Sequence, residues 1–306
     1  MLVDSAISVR GLRKSYGSLE AVRGLDFDIH TGEIFALLGP NGAGKTTTVE
    51  ILEGHRRRDK GEVSVLGNDP ASNSIALKRR IGIVLQSTGV QPYLTVEESI
   101  ELFRGYYPNP LPLDDIIETV GLTEKRKTLV RRMSGGEQRR LDVAIGLAGN
   151  PELLFLDEPT TGFDPSARRN AWGMVKNLQS LGKTIVLTTH YMEEAQFLAD
   201  RVAIMVNGQI AAQGTPGSLT QMDATTRISF RLPSGMQLPE IVHAEARVET
   251  GTVSFQTLEP TRTLHALTSW AVEQGIELEQ LLVSRTSLED IYLELTQGTA
   301  QEEPTA

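Results

Sequence analysis

The sequence has no cysteine. Disulfides and thiolate metal sites are therefore excluded. It also lacks any apolar run approaching the roughly eighteen residues that a bilayer-spanning helix needs. The longest candidates, "IFALLG" and "LLFLDEP", have the length of buried strands. The opening "MLVDSAISV" has neither the basic start nor the apolar centre of a signal peptide. Basic residues are in the minority: 30 Lys and Arg stand against 39 Asp and Glu, a formal net charge of −9. A phosphate backbone demands clustered cations, so nucleic acid is not expected as the main partner. The short basic runs at 56–58, 78–80 and 125–127 read as solvated helix ends and loops. Together these absences predict a soluble, cytoplasmic protein whose membrane role, if any, requires another chain.

What is present is an ordinary globular composition, 40% apolar over 306 residues, enough for one large or two moderate domains. Up to about Leu219, short apolar runs alternate with helical patterns. "EIFALLG", "RIGIVLQ", "ELLFLDEP", "KTIVLTTH" and "RVAIMVNG" read as strands of a parallel sheet covered on both faces. The strand rhythm stops between Ser87 and Gly149, where "LTVEESIELF", "PLDDIIETVGL" and "SGGEQRRLDVAIGLAG" carry apolar spacings of three and four. This predicts a helical insertion at about 87–149 in an α/β domain spanning 1–220. From 221 to 298 the pattern becomes α+β. "RISFRL" and "ARVETGTVSFQT" alternate like antiparallel strands, with a hairpin at Thr250–Gly251. Next come a helix in "TRTLHALTSWAVEQG", a strand in "ELEQLLVSR" and a last helix in "SLEDIYLELT" capped by Ser287. The polar end, 299–306, is expected to be disordered.

The chemistry concentrates in a few stretches. "GPNGAGKTT" (Gly39, Pro40, Asn41, Gly42, Ala43, Gly44, Lys45, Thr46, Thr47) comes after an expected strand at Ile34–Leu38 and precedes an expected helix at Thr46–Leu52. Its glycines let successive N–H groups curl around phosphates; Lys45 is expected to reach the β- and γ-phosphates, Thr46 to ligate Mg²⁺ and Thr47 to bond the α-phosphate. "LLFLDEPTTGFD" brings Asp157 and Glu158 to the carboxyl end of another strand, where ligands of open α/β sheets bind. Asp157 suits Mg²⁺ through water, and Glu158 suits a general base on the attacking water. Gln86 ends "RIGIVLQ", where its amide can touch both metal and water. His190 ends "KTIVLTTH"; it is either a catalytic contact at the same sheet edge or a capping residue. Tyr16, in "KSYGS", either stacks on adenine or is a partly buried loop tyrosine. Ser134, Gly135 and Gly136 open a helix with exposed N–H groups, a second anion-binding end.

With these residues collected, the chain resembles the nucleotide-binding subunit of an ATP-binding cassette (ABC) transporter over roughly residues 5 to 220. The resemblance implies a P-loop ATPase fold of the ABC type: a RecA-like parallel sheet core, an antiparallel N-terminal β region and a helical insertion. It makes Tyr16 the adenine-stacking aromatic, Gly39–Thr47 the Walker A loop and Gln86 the Q-loop. Ser134, Gly135, Gly136 and Glu137 become the family signature, Leu153–Glu158 Walker B, Asp164 the D-loop acid and His190 the switch histidine. The metal ligands are Thr46, Gln86 and Asp157; the ligands themselves are ATP and Mg²⁺. Two positions depart from the family pattern. The signature reads "MSGGE", with a carboxylate at Glu137 where an amide is usual and close to phosphate unwelcome. Phe163 stands where leucine is frequent.

The resemblance also implies that two copies pack head to tail, Walker A of one facing the signature of the other. The second anion-binding helix end then serves the partner's nucleotide. The ending "VSRTSLEDIYLELTQG" resembles the small domain of daunorubicin-resistance-type subunits, which energise export of drug-like or lipophilic compounds through a separate integral-membrane ABC-2 permease. That implies a homodimer held at the inner face of the membrane by its permease. The alternatives are the ATPase of an ABC importer and a soluble ABC ATPase outside transport.

Overall fold

Strands β1 (Ser5–Tyr16) and β2 (Leu19–His30) form an antiparallel ribbon, and β4 (Lys60–Val65) joins the other edge of β1. Ile7, Val9 and Leu12 of β1 and Leu25, Phe27 and Ile29 of β2 turn inward while charged neighbours face solvent. That alternation is what a sheet with one wet face requires. The computed structural model describes residues 5–85, 89–222, 225–232, 246–249, 251–285 and 287–297. The chain divides into two compact units, Met1–Pro216 and Gly217–Ala306.

The second sheet of the first unit is built from β3 (Ile34–Leu38), β5 (Ile81–Val84), β6 (Leu153–Asp157), β7 (Thr184–Thr189), β8 (Arg201–Val206) and β9 (Gln209–Gly214). Its order is β5-β6-β7-β3-β8-β9, parallel throughout except for β9. Every residue of β3 and β7 is buried, as expected of strands covered on both faces. Helices α1 (Lys45–Leu52) and α2 (Ile75–Lys78) come before β5. Helices α3 (Val96–Arg104), α4 (Leu113–Thr119) and α5 (Gly135–Leu147) occupy the expected helical insertion, with α6 (Pro165–Ser180) and α7 (Met192–Leu198) after it. The two sheets share one apolar core, in which Phe27 of β2 stacks on Phe35 of β3 with ring centroids 5.6 Å apart. Each fully buried side chain of this size contributes about 1.5–3 kcal/mol.

The parallel register places the functional edge. Leu38 pairs with Thr189 and Asp157 with Thr188, so β3, β6 and β7 end side by side. The residues after them, Gly39, Glu158 and His190, leave the sheet at the same edge.

Helix α8 (Pro216–Met222) begins at the boundary of the two units. In the second unit, β10 (Thr226–Arg231), β11 (Arg247–Glu249), β12 (Thr252–Thr257) and β13 (Glu279–Arg285) form an antiparallel sheet in the order β11-β12-β10-β13. With α9 (Pro260–Glu273) this sheet closes a core of Ile228, Phe230, Val253, Phe255 and Leu267. Glu249 pairs with Thr252 and Gly251 adopts φ +84°, the left-handed turn that the hairpin requires. Helix α10 (Leu288–Gln297) starts at Ser287, whose hydroxyl accepts from the Asp290 N–H while the Asp290 carboxylate accepts from the Ser287 N–H. The end 299–306 lies outside the described residues.

Candidate functional site

The loop after β3 depends on two glycines for space. A Cβ on Gly39 would lie 2.4 Å from the Met205 carbonyl oxygen, and one on Gly44 2.4 Å from that of Ala21. Gly44 also adopts φ +96° as the N-cap of α1, which begins one residue earlier than expected, at Lys45. Pro40, Asn41 and Gly42 form the outer arc, Gly42 with φ +83°, while Ala43 is buried beneath it. Lys45 is buried. Its ammonium donates to the carbonyls of Gly39 (2.7 Å) and Pro40 (3.0 Å). Burial pulls its pKa down, opposed by the charges of Glu158 and Asp157. The one cation of the loop therefore sits in the field of the two carboxylates at the end of β6. Thr46 is exposed and Thr47 half-buried on the first turn of α1.

At the end of β6, Thr188 donates from its hydroxyl to Asp157 Oδ1 at 2.5 Å. The Glu158 N–H donates to the Thr188 carbonyl and hydroxyl at 3.2 and 3.1 Å. Glu158 itself has φ +44°, a left-handed conformation that costs a non-glycine residue energy and persists only where neighbours enforce it. Its carboxylate is held at both oxygens. Oε1 lies 3.1 Å from His190 Nδ1, and Oε2 accepts from the Thr161 hydroxyl at 3.0 Å. The structure thus brings Lys45, Asp157, Glu158 and His190 to one edge. Gln86 lies outside the described residues. Tyr16 is the last residue of β1 rather than a loop residue, and 39% exposed; Arg56 and Lys14 approach its ring at 5.2 and 5.6 Å from the centroid.

The "MSGGE" stretch folds as the start of α5, with Ser134 as N-cap. The Ser134 hydroxyl accepts from the Glu137 N–H at 3.3 Å, and Glu137 Oε2 accepts from the Ser134 N–H at 2.8 Å. Glu137 is thus turned back on its own helix start, and Lys125 approaches its other oxygen at 3.0 Å. The Ser134 N–H and Lys125 hold its pKa below the usual carboxylate value. The charge expected to repel phosphate is compensated before any phosphate arrives. The N-terminus of α5 opens onto a cavity of about 760 Å³ that also contains Glu158, Gly162, Phe163 and Asp164. None of Gly39–Thr47 lines that cavity. Asp164 caps α6, accepting from the N–H groups of Ser166 (2.8 Å) and Ala167 (2.9 Å).

Other side chains around the site escape motif reading. Thr188 and Thr161 hold the two carboxylates, yet threonines at strand ends and in turns are too common to stand out in a sequence. Glu194 of α7 is fully buried and accepts from the Thr160 hydroxyl (2.8 Å) and Trp172 Nε1 (3.1 Å), pinning the loop after Glu158; burial pushes its pKa up. Arg139, on the second turn of α5, is also buried. A charged residue sharing a face with Val143 and Gly146, four and seven positions on, was the available signal for it.

The ABC transporter family model matches residues 22–161, and that of an ABC transporter domain-containing protein-like C-terminal domain matches 226–287. The daunorubicin resistance ATP-binding protein DrrA3 of Streptomyces coeruleorubidus is 35% identical over 96% of this chain and 97% of its own. The Nod factor export ATP-binding protein I of Ralstonia nicotianae is 37% identical, over 95% and 93%. Among solved structures, cbiO1 of Clostridium perfringens, part of the ABC transporter complex cbiONQ, superposes with a TM-score of 0.65. It has 26% identity and covers 71% of this chain and 91% of its own.

Proposed function

Because the chain belongs to the ABC transporter family of ATP-binding proteins and hydrolyses ATP, we propose that it is the ATPase subunit of an exporter, working as a head-to-tail homodimer beneath a separate ABC-2-type permease. The observation that carries the ATPase reading is the convergence of Gly39, Glu158 and His190 at the ends of adjacent parallel strands. Export is supported by the full-length likeness to proteins named for drug resistance and Nod factor export, which includes the second unit. The relatives' names suggest a drug-like or lipophilic substrate carried by the permease. Among the described residues no helix is long and apolar enough to cross a membrane; in this reading the permease provides the route for cargo.

In this reading the Gly39–Thr47 backbone cradles the triphosphate and Lys45 moves from two neutral carbonyls to the β- and γ-phosphate oxygens. Tyr16 stacks on adenine with its exposed face. Thr46 and Asp157 offer the hard oxygen ligands that a magnesium ion, completed by phosphate and water, would take. That ion supplies charge neutralisation on the phosphates. Glu158 takes a proton from the attacking water on a carboxylate whose two oxygens His190 and Thr161 hold, one each. Ser134 presents its hydroxyl, and Gly135 and Gly136 their N–H groups, to the nucleotide of the other copy, since the cavity they line does not include their own phosphate loop. Hydrolysis separates the γ-phosphate and loosens the dimer.

ATP hydrolysis by the purified chain, measured as phosphate release against protein concentration, tests this. Specific activity rising with concentration, and lost in Lys45→Ala, is the expected result. Full activity in dilute, monomeric protein would refute the shared site. Co-purification with a membrane protein tests the permease.

A further inference from the structure

Arg139 ties α5 to two other chain segments through their backbones. Its guanidinium donates to the carbonyl of Asp157 at 2.8 Å, to that of Pro159 at 3.2 Å, and to that of Leu85, the last described residue before Gln86. Asp142, one turn further along α5, approaches at 3.8 Å. A buried arginine is kept for geometry that only its planar, forked donor set can satisfy. Beside the longer approach to Asp142, its three short bonds go to main-chain oxygens, so what they fix is the path of the backbone.

The peptide unit between Asp157 and Glu158 is gripped at both ends. Arg139 holds its oxygen, while Thr188 holds its N–H. The orientation of this unit and the left-handed φ of Glu158 together set where the Glu158 carboxylate points. Arg139 rides on α5, one turn beyond Gly135 and Gly136. The Arg139 side chain and its hydrogen bonds thus link the position of α5 to the peptide that carries Glu158.

The geometry points to Arg139 as a positioning residue that couples the two nucleotide sites: α5 senses the partner's nucleotide, and Arg139 passes its position to the carboxylate that acts on this chain's own. The coupling rests on the head-to-tail arrangement proposed for the dimer. It makes hydrolysis cooperative in ATP, because the aim of each Glu158 depends on the position that the opposite nucleotide gives α5.

The test compares the full-length wild type with Arg139→Lys and Arg139→Met. Lysine keeps charge and length but cannot bond the spread carbonyls together, and methionine keeps volume alone. Measured are equilibrium binding of a fluorescent ATP analogue, kcat, and the Hill coefficient of hydrolysis, with thermal melting as a control for folding. Binding is expected within about twofold of wild type, kcat lowered about tenfold or more, and the Hill coefficient reduced toward one. If the methionine variant does not fold, the lysine variant decides. A variant that melts earlier but keeps the wild-type kcat and Hill coefficient would overturn the proposal, as would a lowered kcat with unchanged cooperativity. A wild type that is itself non-cooperative and fully active at high dilution would instead remove the head-to-tail arrangement on which the coupling depends.

Discussion

His190 Nδ1 stands 3.1 Å from Glu158 Oε1, at the ends of neighbouring strands β7 and β6. The histidine therefore aims the carboxylate as well as facing the edge proposed to bind phosphate. His190→Ala should leave ATP binding within about twofold of the parent while lowering kcat roughly 100-fold. Single-turnover phosphate release beside equilibrium nucleotide binding checks the split.

Glu158→Gln keeps the hydrogen-bonding shape of the side chain and removes its basicity. The variant should bind ATP, lose about a thousandfold or more in turnover, and accumulate as an ATP-loaded dimer on size-exclusion chromatography. Turnover at the parent rate would show that another group accepts the proton.

Lys125 and Glu137 form a 3.0 Å pair beside the start of α5. Lys125→Met leaves the Ser134 N–H as the remaining partner of the carboxylate where the proposed dimer brings the other copy's phosphate, so the KM for ATP should rise severalfold, most clearly at low salt. Glu137→Gln should be close to neutral, because an amide oxygen can still accept from the Ser134 N–H. The double variant should recover the parent KM; a double-mutant cycle of KM values reads the coupling.

Gly44 has φ +96° and no room for a methyl group against the Ala21 carbonyl. Gly44→Ala should destabilise the fold by about 1–3 kcal/mol and weaken ATP binding together. Thermal melting with and without nucleotide measures both.

Glu53 caps the far end of α1 and is buried, with His55 Nδ1 at 3.2 Å from its carboxyl. Burial first, then the charges of Asp157 and Glu50, push its pKa from 4.5 to about 8. Its folded-state pKa is raised, so the stability it contributes is complete below 4.5 and fades as pH climbs toward 8. Glu53→Gln, which stays neutral, should melt close to the parent near about pH 5 and clearly above it near about pH 8.5. Equal melting temperatures at both would place an ionised carboxylate in the fold at low pH.

Much of this was legible in the sequence because it rests on spacing. The apolar runs ending at Leu38, Asp157 and Thr189 are strands that need burial on both faces, and a parallel sheet then forces the next residues of each segment to one edge. The glycines of the phosphate loop, the caps at Ser134 and Ser287 and the hairpin at Gly251 are local backbone requirements, readable from residue type. The hidden features depend on tertiary placement. Glu137 turns to Lys125, twelve residues away, because of how the helical insertion packs. Arg139 is buried while Arg140 next to it is half-exposed, reaching the Gly121 carbonyl at 3.3 Å, because only one face of α5 meets the sheet. Thr188 matters because the register sets it beside Asp157.

A structure of the Glu158→Gln variant with ATP, at a concentration where it is dimeric, decides where the α5 helix start acts. The account predicts Ser134 and the Gly135 and Gly136 N–H groups against the γ-phosphate of a nucleotide held by Lys45 of the other copy. Ser134 found distant from every triphosphate, or on the nucleotide of its own Lys45, would contradict it.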